Sequence, residues 1–158
     1  NELVETAIDT VWLAQPNIEG QIKVEKELSD ELPMIGVERS KMLDTLISIV
    51  RNGVQAMPEG GTLIISTKIE SVEDLRYCEI AVEDTGTGIS DAELPKIFDL
   101  FYTTKGEEGL GFGLWRDRTF VKGLGGDIEV TSQEGKGSTF AIRVPIDSEV
   151  TRIIGKED

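Results

Sequence analysis

Between positions 43 and 57 the side chains Leu43, Leu46, Ile47, Val50, Val54 and Met57 recur at offsets of three and four. That is the period of a helix with one apolar face, and "PEGG" at 58–61 stops it. A stripe of this kind has to be covered by another layer of structure. The flanking segments have the pattern of such a layer. "QIKVEKEL" at 21–28 alternates as a half-exposed strand. Two strands are expected near 62–69 and 76–84, joined by the charged link "ESVEDLR", and two more near 127–131 and 138–144, separated by "QEGKG". Residues 1–14 read as an amphipathic helix that Pro16 ends. Ser90 with Glu93 forms a capping-box pattern for a short helix limited by Pro95. A loop over 99–110 leads to a helix from about 111 to 123. The order is helix, strand, helix, two strands, helix, helix, two strands. It predicts an α+β fold with a mixed sheet of about five strands and the helices gathered on one face, not strict βαβ alternation.

A chain of 158 residues suits one domain with a core of its own. The domain is expected over 1–146, with a charged, frayed tail at 147–158. The chain starts at Asn1 rather than Met, which suggests a piece of a longer polypeptide. A single cysteine, Cys78, excludes an internal disulfide and fits a reducing, cytoplasmic setting. No apolar run approaches membrane-spanning length, though a longer parent protein could be membrane-anchored. Thirty acidic against sixteen basic residues give a net charge of −14, which disfavours nucleic acid and anionic membranes as partners. Binding a polyanion would then need a divalent cation, backbone N–H groups or a well-placed Lys. The chain contains no His. His-based metal sites, Ser-His-Asp triads and a phosphohistidine are therefore excluded on this polypeptide.

Three groups of residues could carry chemistry. On the 38–57 helix, Ser48, Asn52 and Gln55 lie opposite the apolar stripe, with Ser48 and Asn52 one turn apart. They form either a solvated face or, through the Asn52 carbonyl, a ligand to Mg²⁺ already shared with phosphates. In the strand at 76–84, Cys78, Ile80 and Val82 share one face and Asp84 extends it. A carboxylate in an inward row needs a hydrogen-bond partner, and its natural ligand is a donor such as an exocyclic amine. Gly86 and Gly88 follow in "DTGTG", a strand-ending turn or a place of close approach. In "GLGFGLWRDRTF", Gly109, Gly111 and Gly113 run into a helix start, where N–H groups can face an anion. The stretch fits neither GxxxxGK[ST] nor a Rossmann GxGxxG. Lys105 is the nearest cation upstream.

Together these segments resemble the ATP-binding catalytic domain of bacterial sensor histidine kinases, within the GHKL ATPase family and its Bergerat fold. "LISIVRNGVQAMPEGG" is similar to the asparagine box, and "DTGTGI" to the first glycine box. "IFDLFYTTK" resembles the phenylalanine box with Phe98, Phe101 and Lys105, "GLGFGL" the second glycine box, and "GKGSTF" the final motif. The resemblance implies a two-layer sandwich of a mixed sheet on three main helices, with ATP between the helices under a lid at about 99–113. It further implies that Asn52 binds Mg²⁺, that Asp84 accepts a hydrogen bond from the adenine amine, and that Thr139 lies near the adenine. Gly109, Leu110, Gly111, Gly113 and Leu114 would form the lid hinge and the phosphate-facing helix start, and Lys105 with Asn52 would be the catalytic residues. The γ-phosphoryl group would pass to a His on a separate dimerisation and phosphoacceptor domain, with a response regulator further downstream. This piece alone would be monomeric.

Two positions depart from the family pattern. Where relatives carry a longer polar residue, and water-activating members a general-base Glu, Ser48 stands here, so weak ATP hydrolysis is expected. In the helix after the glycines, Leu114, Phe120, Val121 and Leu124 mark the inward face, and Asp117 falls near its middle. Either Asp117 is buried with a donor such as Arg116, Arg118 or Arg51, or a small helix rotation leaves it exposed in the first turn. The competing functions are a GHKL hydrolase or anti-sigma-factor-type Ser/Thr kinase, and a degenerate nucleotide-binding or coupling module.

Overall fold

In the computed structural model, residues 1–15, 21–102 and 113–146 are described. Three helices, α1 (Glu2–Ala14), α2 (Arg39–Gln55) and α3 (Gly113–Gly123), pack on a sheet of β1 (Ile22–Leu28), β2 (Gly61–Val72), β3 (Leu75–Asp84), β4 (Asp127–Gln133) and β5 (Gly137–Pro145). The strand order is β1-β2-β3-β5-β4. β1 runs parallel to β2, with α2 as the crossover, and the other pairs are antiparallel. This is the α+β arrangement that the periodicities predict.

Period-two alternation sets the layers. Across the sheet, Ile65, Val82, Phe140 and Val130 stand in one row, and Thr67, Ile80, Ile142 and Ile128 in the next. These rows meet Leu46, Ile49, Val50 and Val54 of α2, Val4, Ala7 and Val11 of α1, and Val121 of α3 in one core. The last row of that face turns polar: Leu63, Asp84, Ser138 and Ser132 lie opposite one another. A polar end to an apolar face is where a site can be built.

Three sequence expectations change in detail. "ESVEDLR" is not a free link, because β2 and β3 continue through it to a tight turn at Glu73–Asp74. The charges in it stand along the strands, and Glu73 takes the bend with φ 53. The expected helix after 90 shrinks to a 3₁₀ turn at Leu94–Lys96 with Pro95 inside it. There Ser90 Oγ donates to Glu93 Oε2 at 2.8 Å, pairing side chain with side chain. Finally, α2 is not polar-faced at Ser48. It is covered by α1, α3 and the sheet, and Ser48 is only 4% exposed.

The opposite face of the sheet carries an ionic ladder that has no counterpart in the sequence reading. Glu79 is 6% exposed. It accepts from Arg143 Nε at 2.8 Å and pairs with Lys68 at 3.1 Å, while Arg143 Nη1 also donates to Glu129 at 2.7 Å. Burial alone would raise the Glu79 pKa, but the hydrogen bonds from Arg143 and Lys68 bring it below the ordinary carboxylate range. A depressed carboxyl contributes stability above its unfolded value and loses it as pH falls through its folded value. Arg143→Ala is expected to cost about 2 kcal/mol at neutral pH, by leaving a buried carboxylate with one partner. The gap between parent and variant should close on acidification below the carboxylate range, as thermal melts across a pH series would show. Equal melting at pH 7 would contradict it.

Candidate functional site

Asp84 ends β3 at the polar row and is 4% exposed. Its Oδ1 accepts the Gly86 N–H at 2.9 Å. Burial raises its pKa, while the Gly86 and Ser138 N–H groups pull it back. Gly53 brings α2 onto it. A Cβ there would sit 2.8 Å from Leu63 Cδ1 and 3.6 Å from Asp84 Cβ, so a side chain at 53 would press on Leu63 beside Asp84. Asn52, half-buried, precedes that contact, and Gln55 is exposed at the helix end. Both have polar or ionic partners within the fold.

The loop after Asp84 is tied on both sides. The Thr87 N–H donates to the Ala56 carbonyl at 3.0 Å, and the Thr87 carbonyl accepts the Gly135 N–H at 2.7 Å. Ile89 N–H donates to Ser132 Oγ at 2.8 Å. Gly86 and Gly88 make this possible. Gly88 has φ +68, and a Cβ on it would meet the Gln133 carbonyl oxygen at 2.1 Å. The close approach seen here is of the protein's own backbone, in the loop that ends β3.

Strand register sets which residues of β5 face Asp84. Asp84 lies opposite Ser138, whereas Thr139 lies opposite Glu83 and so on the other face. Ser138, 5% exposed, is the β5 residue opposite Asp84, and Thr139 borders the same end of the sheet from the next position. Ser138 Oγ is 2.9 Å from Ser132 Oγ. A depression of about 340 Å³ at this end of the sheet is lined by Asp84, Ser132 and Ser138 of the polar row together with Glu83, Thr131 and Thr139, among others.

At the start of α3, a Cβ on Gly113 would stand 3.6 Å from Ser48 Oγ. Leu114 is half-buried against the core. Asp117 answers the open question of its direction: it is 1% exposed, and Arg116 Nε and Nη2 donate to its Oδ1 at 3.3 and 3.0 Å. The rotated, exposed alternative fails, because Val121 and Leu124 hold the same face of α3 in the core. Arg118 is used elsewhere. It makes a two-pronged pair with Asp127 at 2.7 and 3.1 Å, and its guanidinium lies 4.5 Å over the Phe98 ring. That stack ties Phe98 of the phenylalanine-box motif to α3. Lys105, Gly109, Leu110 and Gly111 lie outside the described residues.

The donor set also bears on a metal. Among the described residues no group of three or more His, Cys, Asp or Glu could hold an ion. An amide such as that of Asn52, without a carboxylate cage, suits Mg²⁺ that keeps most of its ligands as water and phosphate oxygens. The residues present therefore fit a cation carried in by a nucleotide.

A sequence profile described as "Histidine kinase-, DNA gyrase B-, and HSP90-like ATPase" matches residues 38–148. The chain belongs to that ATPase family. ATP is the family's nucleotide, and the matched region holds Asn52, Asp84 and both glycine stretches. Sporulation kinase E of Bacillus subtilis is 33% identical over 140 residues, covering 87% of this chain and 18% of that protein. The signal transduction histidine-protein kinase AtoS of Escherichia coli is 36% identical over 146 residues, covering 92% and 23%. The chain thus spans less than a quarter of either relative. Among solved structures, the nucleotide-free catalytic domain of the histidine kinase ThkA superposes with a TM-score of 0.72 at 26% identity, covering 90% of this chain and 93% of that one. The mixed five-stranded sheet with three helices is the fold of histidine kinase catalytic domains. No helix among the described residues is long and apolar enough to cross a membrane.

Proposed function

We propose that this domain binds ATP with Mg²⁺ in the groove between α2 and α3 and passes the γ-phosphoryl group to a His on another domain of the same kinase. The observation that carries the reading is Asp84: a buried acceptor at the sheet end, beside Gly53 and Asn52 of α2, in a chain with histidine kinase relatives. Asp84 would accept from the adenine 6-amine, and Ser138, with Thr139 beside it, would complete that end of the pocket. Asn52 would hold Mg²⁺, with Ser48 and Gln55 on the same side of the helix run. Mg²⁺, when bound, neutralises phosphate charge. Lys105, Gly109, Leu110, Gly111, Gly113 and Leu114 would enclose the phosphates, with glycine N–H groups as donors. In the transfer, the bond from γ-phosphorus to the ADP oxygen breaks and a bond to an imidazole nitrogen forms, so protein catalysis is mainly positioning. With no His in the chain, the acceptor must come from elsewhere, and a response regulator would act after it. Ser48 provides no base near neutral pH, so water is a poor acceptor here. The domain would span 1–146 and act as a monomer on its own.

Titration with an ATP analogue, with and without Mg²⁺, tests the binding. Adding a separately purified phosphoacceptor domain and following label onto it tests the transfer. Binding without transfer would favour a coupling module, and rapid phosphate release would favour a hydrolase. Asn52→Ala is expected to lower affinity about tenfold in Mg²⁺ and to remove most of the difference between the Mg²⁺ and metal-free titrations. An unchanged Mg²⁺ response would assign the metal to other groups.

A further inference from the structure

Asp117 is the most anomalous group of the fold. It is a carboxyl at 1% exposure whose only charged partner among the described residues, Arg116, is itself more than half exposed. Its Oδ2 is buried with no partner at full hydrogen-bond geometry among the described residues. The groups facing it from α2 are the hydroxyls of Thr45 and Ser48, both buried. The strands behind α3 present Ile128, Phe140, Ile142 and Val144 on that face, none of them titratable, and Asp127 is occupied by Arg118. A buried carboxylate in such surroundings destabilises a fold, and an Asn or a packed apolar residue would serve structure better. Groups that reduce stability in this way mark functional positions.

We infer that Asp117 is a positioning residue for the nucleotide groove, acting through the Ser48 hydroxyl; the role rests on the proposed ATP site. Ser48 stands between Asp117 and Gly113, the first described residue after the 103–112 segment, and one helical turn before Asn52. A hydroxyl has one hydrogen and two lone pairs. When Asp117 is ionised and takes the Ser48 hydrogen, the lone pairs of Ser48 Oγ are left as acceptors beside Asn52. They suit a water of a hydrated Mg²⁺. A protonated Asp117 has one acceptor fewer and competes as a donor, so the hydroxyl loses its fixed direction. Burial raises the Asp117 pKa, with Ser48, Arg116 and Thr45 pulling it back. The switch therefore lies above the ordinary Asp range.

The test uses this chain and its variants Asp117→Asn and Ser48→Ala, titrated with an ATP analogue in Mg²⁺ from pH 5 to 8, with a thermal melt at each pH. The expected parent loses affinity as pH falls through the Asp117 range. Asp117→Asn is expected to bind about tenfold more weakly at pH 7.5 with no such pH step, yet to melt at or above the parent. Ser48→Ala should show the same weakening, and the double variant should be no weaker than either single one. A purely structural Asp117 would instead move melting and affinity down together. If Asp117→Asn, or Ser48→Ala where the first variant does not fold, keeps parental affinity and pH profile, the role is overturned. If the parent itself binds no nucleotide, the ATP site is overturned first, and this role with it.

Discussion

Asp84→Asn is expected to weaken ATP binding about a hundredfold while leaving the fold in place. The substitution keeps the size of the side chain, and its Oδ1 can still accept the Gly86 N–H, which Asp84 takes at 2.9 Å. What changes is the second atom. Asp84 offers an acceptor oxygen to the groove, whereas Asn would offer an NH₂, a donor facing the donor amine of adenine. The lost bond and the two unpaired donors act together in a buried place, where sites built around one hydrogen bond discriminate most sharply. The same logic predicts a reversal of base preference. The parent should bind ATP in preference to ITP, whose 6-position is a carbonyl, and the variant should prefer ITP. Stability should not fall with affinity. Because burial holds the Asp84 pKa up, the stability linked to this group is fully present below its unfolded value and is lost as pH rises through its folded value. An Asn has no charge to bury, so the variant should melt no lower than the parent at neutral pH. Calorimetric titration with both nucleotides and a melt of each protein decide it. Affinity for ATP within about threefold of the parent would remove Asp84 from adenine recognition.

How far the sequence carried depends on the kind of contact. The layers and all five strands followed from apolar periods, because period alone tells which face meets the core. Asp84 was legible for the same reason, standing in parity with Cys78 and Val82. Ser48 was not. A helical wheel describes one helix against one neighbour, and α2 has three, so a position opposite the main stripe is covered by α3. The face of Thr139 was not legible: "GST" does not show which residue of β5 lies opposite Asp84, and a shift of one reverses the face. The Glu79–Arg143–Glu129 ladder was unreadable because its members come from three strands paired out of chain order. Asp117 was half legible. Its place near the middle of the inward face was read from Leu114, Val121 and Leu124, but burial stayed open against a rotated helix, and the choice of Arg116 over Arg118 depended on Asp127 at the start of β4.

The second large effect concerns the backbone rather than a side chain. Gly86→Ala is expected to cost about 3 kcal/mol, lowering the melting temperature by roughly 6–12 °C. A Cβ at position 86 would lie 2.3 Å from the Ala56 carbonyl oxygen, 2.6 Å from its carbon and 2.8 Å from Ala56 Cβ. Two of these are backbone atoms at the end of α2, and no rotamer change can move them away. The same carbonyl accepts the Thr87 N–H, so separating the loop from α2 breaks that bond as well. Lifting residue 86 also withdraws the N–H that Asp84 Oδ1 accepts. Stability and ATP affinity should therefore fall together in this variant, whereas Asp84→Asn lowers affinity alone. Gly135→Ala is the control. It has φ +79 but nothing within 4 Å of the added carbon, so it should cost only about 1 kcal/mol of backbone strain and leave ATP binding intact. Were Gly86→Ala to melt like Gly135→Ala, the loop after Asp84 would not be held against α2. The adenine end of the groove would then need another support.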